Sequence, residues 1–229
     1  MILRNGLRIL FISLFILLFS HSPSNADTSV GGRISVDTTW TLAGSPYIAA
    51  STVQVYGTTT TPVTLTIEPG VVVKFASGAG LQIGNGTSQG ALVAGRPAGD
   101  RVTFTRSATS GAWGSITFND GTVDGTTVLE NVDMQYSTGI TMTYASPAIR
   151  NSTLTDVTGY GFNLTASNPI LDNVTITNNG LYGIYLNTTY GASPIITGGS
   201  LTNTSSTGQG IYGSGSPVIS IHSDINNCA

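Results

Sequence analysis

The chain has 229 residues, of which 40% are hydrophobic and only 8% charged, and eight basic against 11 acidic side chains give a net charge of −3. With no basic stripe in it, nucleic acid and anionic membrane surfaces are poor partners. Its single cysteine, Cys228, excludes an internal disulfide framework.

At the N-terminus, Arg4 and Arg8 precede an apolar run from Ile9 to Phe19, and Ser24-Asn25-Ala26 puts small residues where a signal peptidase cuts. Residues 1–26 therefore read as a secretory signal, too short in its apolar part for a membrane span of about 20 residues. An uncleaved anchor is the alternative. Cleavage leaves 203 residues, enough for one domain with a real core, and six basic residues against the 11 acidic ones. No later stretch is apolar for long enough to span a bilayer. Short alternating runs then follow one another: residues 52–55, 64–67, 71–75, 81–83, 101–105 and 115–118. Gly and Asn separate them, and no amphipathic 3.6-residue pattern competes, so the expectation is all-β.

From Val128 onward the chain repeats itself about every 22 residues, which decides between sandwich, barrel and solenoid in favour of a β-solenoid. Pro147, Pro169, Pro194 and Pro217 each open a similar passage, and a Gly-Ile-like motif recurs at Gly139, Gly161, Gly183 and Gly210. Ile149, Leu171, Ile196 and Ile219 are expected to stack inward, as are Leu154, Ile176 and Leu201. Stacking at the strand spacing of ~4.8 Å buries them as aliphatic ladders. Asn131, Asn151 and Asn173, with Gly198 next in line, and Asp156, Asn178, Asn203 and Asn226 fall at two fixed offsets. These residue types tolerate the left-handed backbone of a tight corner, and stacked amides can bond to one another. About nine coils are expected. The last passage stops at Ala229 part-way through a coil, so the C-terminal end is expected to be incomplete and further domains of a larger protein are expected partners.

The stretch GGRISVDTTWTLAGSPYIAASTVQV, followed by LTIEPGVVVKF, LQIGNG, ALVAG, RVTFTRS and WGSITF, resembles the opening segment of secreted bacterial right-handed parallel β-helix repeat proteins of the pectate-lyase-like superfamily. The resemblance covers residues 31–227. It implies three short strands per coil, a cap over residues 27–50 that includes Trp40 and Tyr47, and the β-helix over 51–229.

That superfamily contains many polysaccharide-cleaving enzymes. Inverting hydrolysis needs carboxylates facing one groove about 6.5–9.5 Å apart. Asp120, Asp124, Glu130 and Asp133 are the one acidic cluster, read here as a scattered, solvated loop or as catalytic candidates. The Gly-His-Gly and Arg-x-Lys signatures of polygalacturonases are absent, and the one histidine beyond the signal is His222. Lyase chemistry needs a calcium held by several carboxylates and a basic residue. Arg150 has one acidic near neighbour in the next coil, Asp172, and the pair reads as an exterior salt bridge. Binding is the preferred reading. Tyr160 and Tyr182 precede the glycine of the Gly-Ile motif, and Tyr185 and Tyr212 follow its Ile, so two aromatic stacks are expected to form a platform for the sugars of an extracellular polysaccharide. Tyrosine is also simply a good strand residue. Thr153-x-Thr155 and Thr175-x-Thr177, with Ser200 and Thr202 next, resemble the ice-binding face of some antifreeze solenoids. Nothing resembles a phosphate loop, a zinc site or a nucleophile elbow, and no cofactor is expected. The chain reads as a secreted, non-enzymatic module, structural or carbohydrate-interacting. A lyase or hydrolase with a degenerate or externally supplied site is the first alternative, and an ice-binding solenoid the second.

Overall fold

The computed structural model describes residues 26–202 and 210–219 and the backbone of Asp224–Asn226. Its named strands pair in parallel with strands one coil away, and the one helical element among the described residues is a 3-10 turn at Leu42–Gly44. The chain forms the expected parallel β-helix, with three faces per coil. The first face carries Val72–Phe75, Val102–Arg106, Val132–Gln135, Thr153–Val157, Thr175–Asn179, Ser200–Thr202 and Asp224–Asn226. The second carries Leu81–Ile83, Ser115–Phe118, Gly139–Thr143, Phe162–Thr165, Ile184–Leu186 and Ile211–Gly213. The third runs from Thr38–Trp40 through Val63–Ile67, Gly90–Ala94, Val128–Glu130, Ala148–Arg150, Ile170–Asp172 and Ile195–Thr197 to Val218–Ile219.

At the N-terminal end the long strand Tyr47–Val55 turns the corner between the first two faces. Its front half pairs with Val73–Phe75 and its back half with Leu81–Ile83, while Thr28–Ile34 lies parallel along its other edge. The expected boundary between cap and helix at residue 50 thus falls inside one continuous strand. Tyr47, Ala49, Val53 and Val55 are all buried along it, so the ladders already begin here. Trp40 and Tyr47, both buried, stack at 4.9 Å with planes 14° apart.

Alternation sends every second residue into the core, and the register aligns these residues into columns. On the third face Trp40, Ile67, Ala94, Leu129, Ile149, Leu171, Ile196 and Ile219 follow one another. On the first, Val73, Phe104, Met134, Leu154, Ile176 and Leu201 do so. The predicted inward positions are therefore buried, except Ile219, which keeps the register but is 42% exposed. Each large side chain so buried contributes roughly 1.5–3 kcal/mol. Trp113, fully buried, stacks on Phe75 at 4.3 Å, and its Nε1–H donates to the Gln135 carbonyl at 2.7 Å.

The 22-residue period holds where the corners are tight, as from Thr153 to Thr175 and from Phe162 to Ile184. Earlier coils are longer: Val102 pairs with Val132 and Ile83 with Phe118, because residues 107–114 enlarge a corner of both, with 119–127 adding to the first and 95–101 to the second. Arg101 closes one such long coil. It donates to Asp133 Oδ1 at 2.7 Å, to Asn131 Oδ1 at 2.8 Å and to the Val132 carbonyl at 2.8 Å. The asparagine corners adopt the left-handed backbone as expected: φ is 59° at Asn131, 48° at Asn151, 52° at Asn173 and 61° at Gly198. Asn173 donates to Asn151 at 2.9 Å, and Asn178 donates to Asp156 at the second corner. Asn203 and the side chain of Asn226 lie outside the described residues.

Candidate functional site

Tyr160 and Tyr182 stand in the turns that lead into the second face, and Tyr185 and Tyr212 point outward from it in register. The turns close tightly at Gly161 and Gly183. A Cβ on Gly161 would lie 2.4 Å from the Gly183 carbonyl oxygen, so glycine is required beside each ring. All four rings meet. The closest pairs are Tyr160–Tyr185 at 4.8 Å and Tyr182–Tyr212 at 4.6 Å, with planes 17° and 15° apart. Within the expected columns the separations are larger, 5.8 Å for Tyr160–Tyr182 and 6.2 Å for Tyr185–Tyr212. Two parallel stacks are thus replaced by one interlocked cluster. Tyr182 and Tyr185 flank the same Gly-Ile step and lean together at 6.0 Å, so rings from adjacent coils cross over. Tyr212 is 46% exposed and the other three are half-buried. Each close pair covers one face of each ring and leaves edges and hydroxyls outward.

The same turns border an open groove of about 620 Å³ lined by Arg106, Gly111, Tyr136, Asp156, Thr158 and Asn178, among others. The Arg106 guanidinium lies 3.7 Å above the Tyr136 ring and donates to the Gly111 carbonyl at 2.9 Å. Sequence reasoning missed this pair. Arg106 and Tyr136 are far apart in the chain, and their meeting follows from the pairing of Val102–Phe104 with Val132–Met134. The left-handed backbone of Tyr136, φ 57°, aims its ring; tyrosine gives no sequence signal for that conformation.

The acidic residues disperse. Asp133 is bound by Arg101 and accepts from the Thr153 hydroxyl on the first face. Asp124 and Glu130 line an open concavity of about 520 Å³ on the third face together with Arg150. Asp120 is exposed and does not line it. Partial burial raises the Asp124 carboxyl above the usual carboxylate range, and the hydrogen bond from the Ser146 N–H at 2.7 Å opposes that. Glu130 accepts from Asn151 at 3.3 Å. Arg150 and Asp172 are register neighbours, but among the described residues the ion pair is Arg101–Asp133; the expected Arg150–Asp172 bridge does not form. Arg150 lines the concavity and Asp172 does not.

Residues 72–229 match the family described as the right handed beta helix region. The chain belongs to this family. No curated protein matches it, and no solved structure matches it. It is a structural β-helix module, wound right-handed as its family implies.

On the first face of the β-helix, Thr153, Thr175 and Ser200 align, as do Thr155, Thr177 and Thr202. Asp133 and Gln135 occupy the same columns one level earlier, so the array is short. Among the described residues no group of three or more His, Cys, Asp or Glu could hold a metal ion. No helix among them is long and apolar enough to cross a membrane. His222 and the segment 1–25 lie outside the described residues.

Proposed function

We propose that this β-helix is a secreted, non-enzymatic module that binds extracellular polysaccharide through the face carrying Tyr160, Tyr182, Tyr185 and Tyr212. The observation that supports it is the clustering of four near-parallel rings beside the Arg106–Tyr136 groove. Ring edges, free faces and hydroxyls offer a sugar apolar contact and hydrogen bonds together. The groove extends the contact along the solenoid. The segment with Arg4, Arg8 and the run from Ile9 to Phe19 supports export.

The test is retention on a panel of plant, algal and bacterial polysaccharides, with mass spectrometry of anything released. Replacing Tyr185 and Tyr212 by Ala should weaken retention about tenfold, the equivalent of roughly 1.4 kcal/mol. Unchanged retention by a folded double variant rejects the site. Released oligosaccharides would favour the second reading, a lyase or hydrolase, which the placement of Asp124, Glu130 and Arg150 around one concavity supports. Changing Asp120, Asp124, Glu130 and Asp133 together to amides must then abolish the release.

A further inference from the structure

The outer side of the third face carries two columns of different character. One outward column gives an aliphatic stripe: Val93, Val128, Ala148, Ile170, Ile195 and Val218 stand in register over six levels. Exposure rises along it, from half-buried at Val93, Val128 and Ala148 to 62% at Val218. Two residues on, the outward column reads Glu130, Arg150, Asp172, Thr197, an alternation of negative, positive and negative charge. The guanidinium of Arg150 and the carboxylate of Asp172 have no hydrogen bond or ion pair among the described residues. A stripe of exposed Val and Ile beside free charges of alternating sign is the pattern of a contact surface rather than of a solvated sheet.

We infer that this face packs against the same face of a second copy of the chain, with the two solenoid axes antiparallel. The charge pattern selects both the partner and the arrangement. A two-fold axis running along the strands lays stripe on stripe and charge column on charge column. Run along the solenoid axis, it can superpose the stripe or the charge column on itself but not both. Placed between the levels of Arg150 and Asp172, it opposes Arg150 to Asp172 of the second copy and Asp172 to its Arg150. Glu130 then faces Thr197, and the stripe matches end to end: Val93 with Val218, Val128 with Ile195, Ala148 with Ile170. Centring it on Arg150 would oppose two guanidinium groups, and moving it one level toward Glu130 would leave Ile195 and Val218 uncovered. An isologous contact of this kind is self-limiting, which suits a solenoid whose exposed strands otherwise invite open-ended association. This inference is independent of the tyrosine site, which lies on another face.

Reciprocity provides the test. In sedimentation equilibrium the purified chain should dimerise with concentration. Arg150→Asp alone, or Asp172→Arg alone, opposes like charges twice per dimer and should weaken association about tenfold or more, while the combined Arg150→Asp/Asp172→Arg variant should restore it. Ile195→Lys should also favour the monomer. Circular dichroism melts confirm that each variant is folded. A chain that stays monomeric at its highest soluble concentration overturns the inference. So does a dimer indifferent to both single reversals, or a monomer whose retention on a polysaccharide falls with Ile195→Lys.

Discussion

Asn151 and Ile176 show what single residues do in this fold. Asn151 sits at φ 48°, where side chains other than those of Gly, Asn and Asp are strained, and its amide links Asn173 to Glu130. Asn151→Ala should cost about 1–2 kcal/mol in urea titration, from backbone strain and the lost ladder bonds. A neutral result would mean that the corner relaxes. Ile176 is fully buried between Leu154 and Leu201. Ile176→Ala should cost about 2–5 kcal/mol, because the stacked neighbours above and below are held by their own ladders and cannot close the gap. Both positions were legible in the sequence, since each recurs at a fixed offset from a proline. Tyr136, Tyr144 and Ala166 also adopt positive φ, and nothing in their residue type announces it.

At the scale of the elements, the tight coils follow from local spacing and the long ones from side chains that meet across coils. Arg101 binds the corner at Asn131–Asp133 from one coil away, and Trp113 fills the corner beside Phe75. Arg101→Ala should lower stability by about 1–2 kcal/mol, less than a buried charge pair would suggest, because both partners are about one-third or one-quarter exposed. The loss should shrink in high salt as screening weakens the wild-type pair; a salt-independent loss would assign the effect to packing of the arginine stem. The tyrosine cluster belongs to this scale as well. Its four members were legible from the Gly-Ile motif, but the pairing of Tyr160 with Tyr185 depends on how rings from adjacent turns lean across a glycine. Arg106 and Tyr136 were invisible because no motif links them.

Across the whole molecule, each level touches only its neighbours, so stability is a sum along one axis. The core columns are sealed at Phe75, Phe104, Ile116 and Phe118, whereas Ile196 and Leu201 are each 7% exposed and Ile219 is 42% exposed. Amide hydrogen exchange should therefore be slowest in Val102–Arg106 and Ser115–Phe118 and faster toward Val218–Ile219. Uniform protection would instead show one cooperative unit. Asp124 adds a pH term of known sign. Its folded carboxyl titrates above its unfolded value, so its contribution is fully present below the unfolded value and is lost as pH rises through the folded one. Measured against Asp124→Asn, the parent should match the variant in acid and lose stability relative to it as the pH rises, because the amide has no charge to desolvate; a pH-independent difference would reject the shift.

The sequence by itself determined the solenoid, its inward columns and its asparagine corners, because all three are one-dimensional patterns that a fixed period carries directly into space. Only the tertiary structure decided the long early coils, the crossed tyrosine pairs, the Arg106–Tyr136 groove and the dispersal of the acidic residues. These depend on loops and side chains that meet between coils, where separation along the chain no longer measures distance.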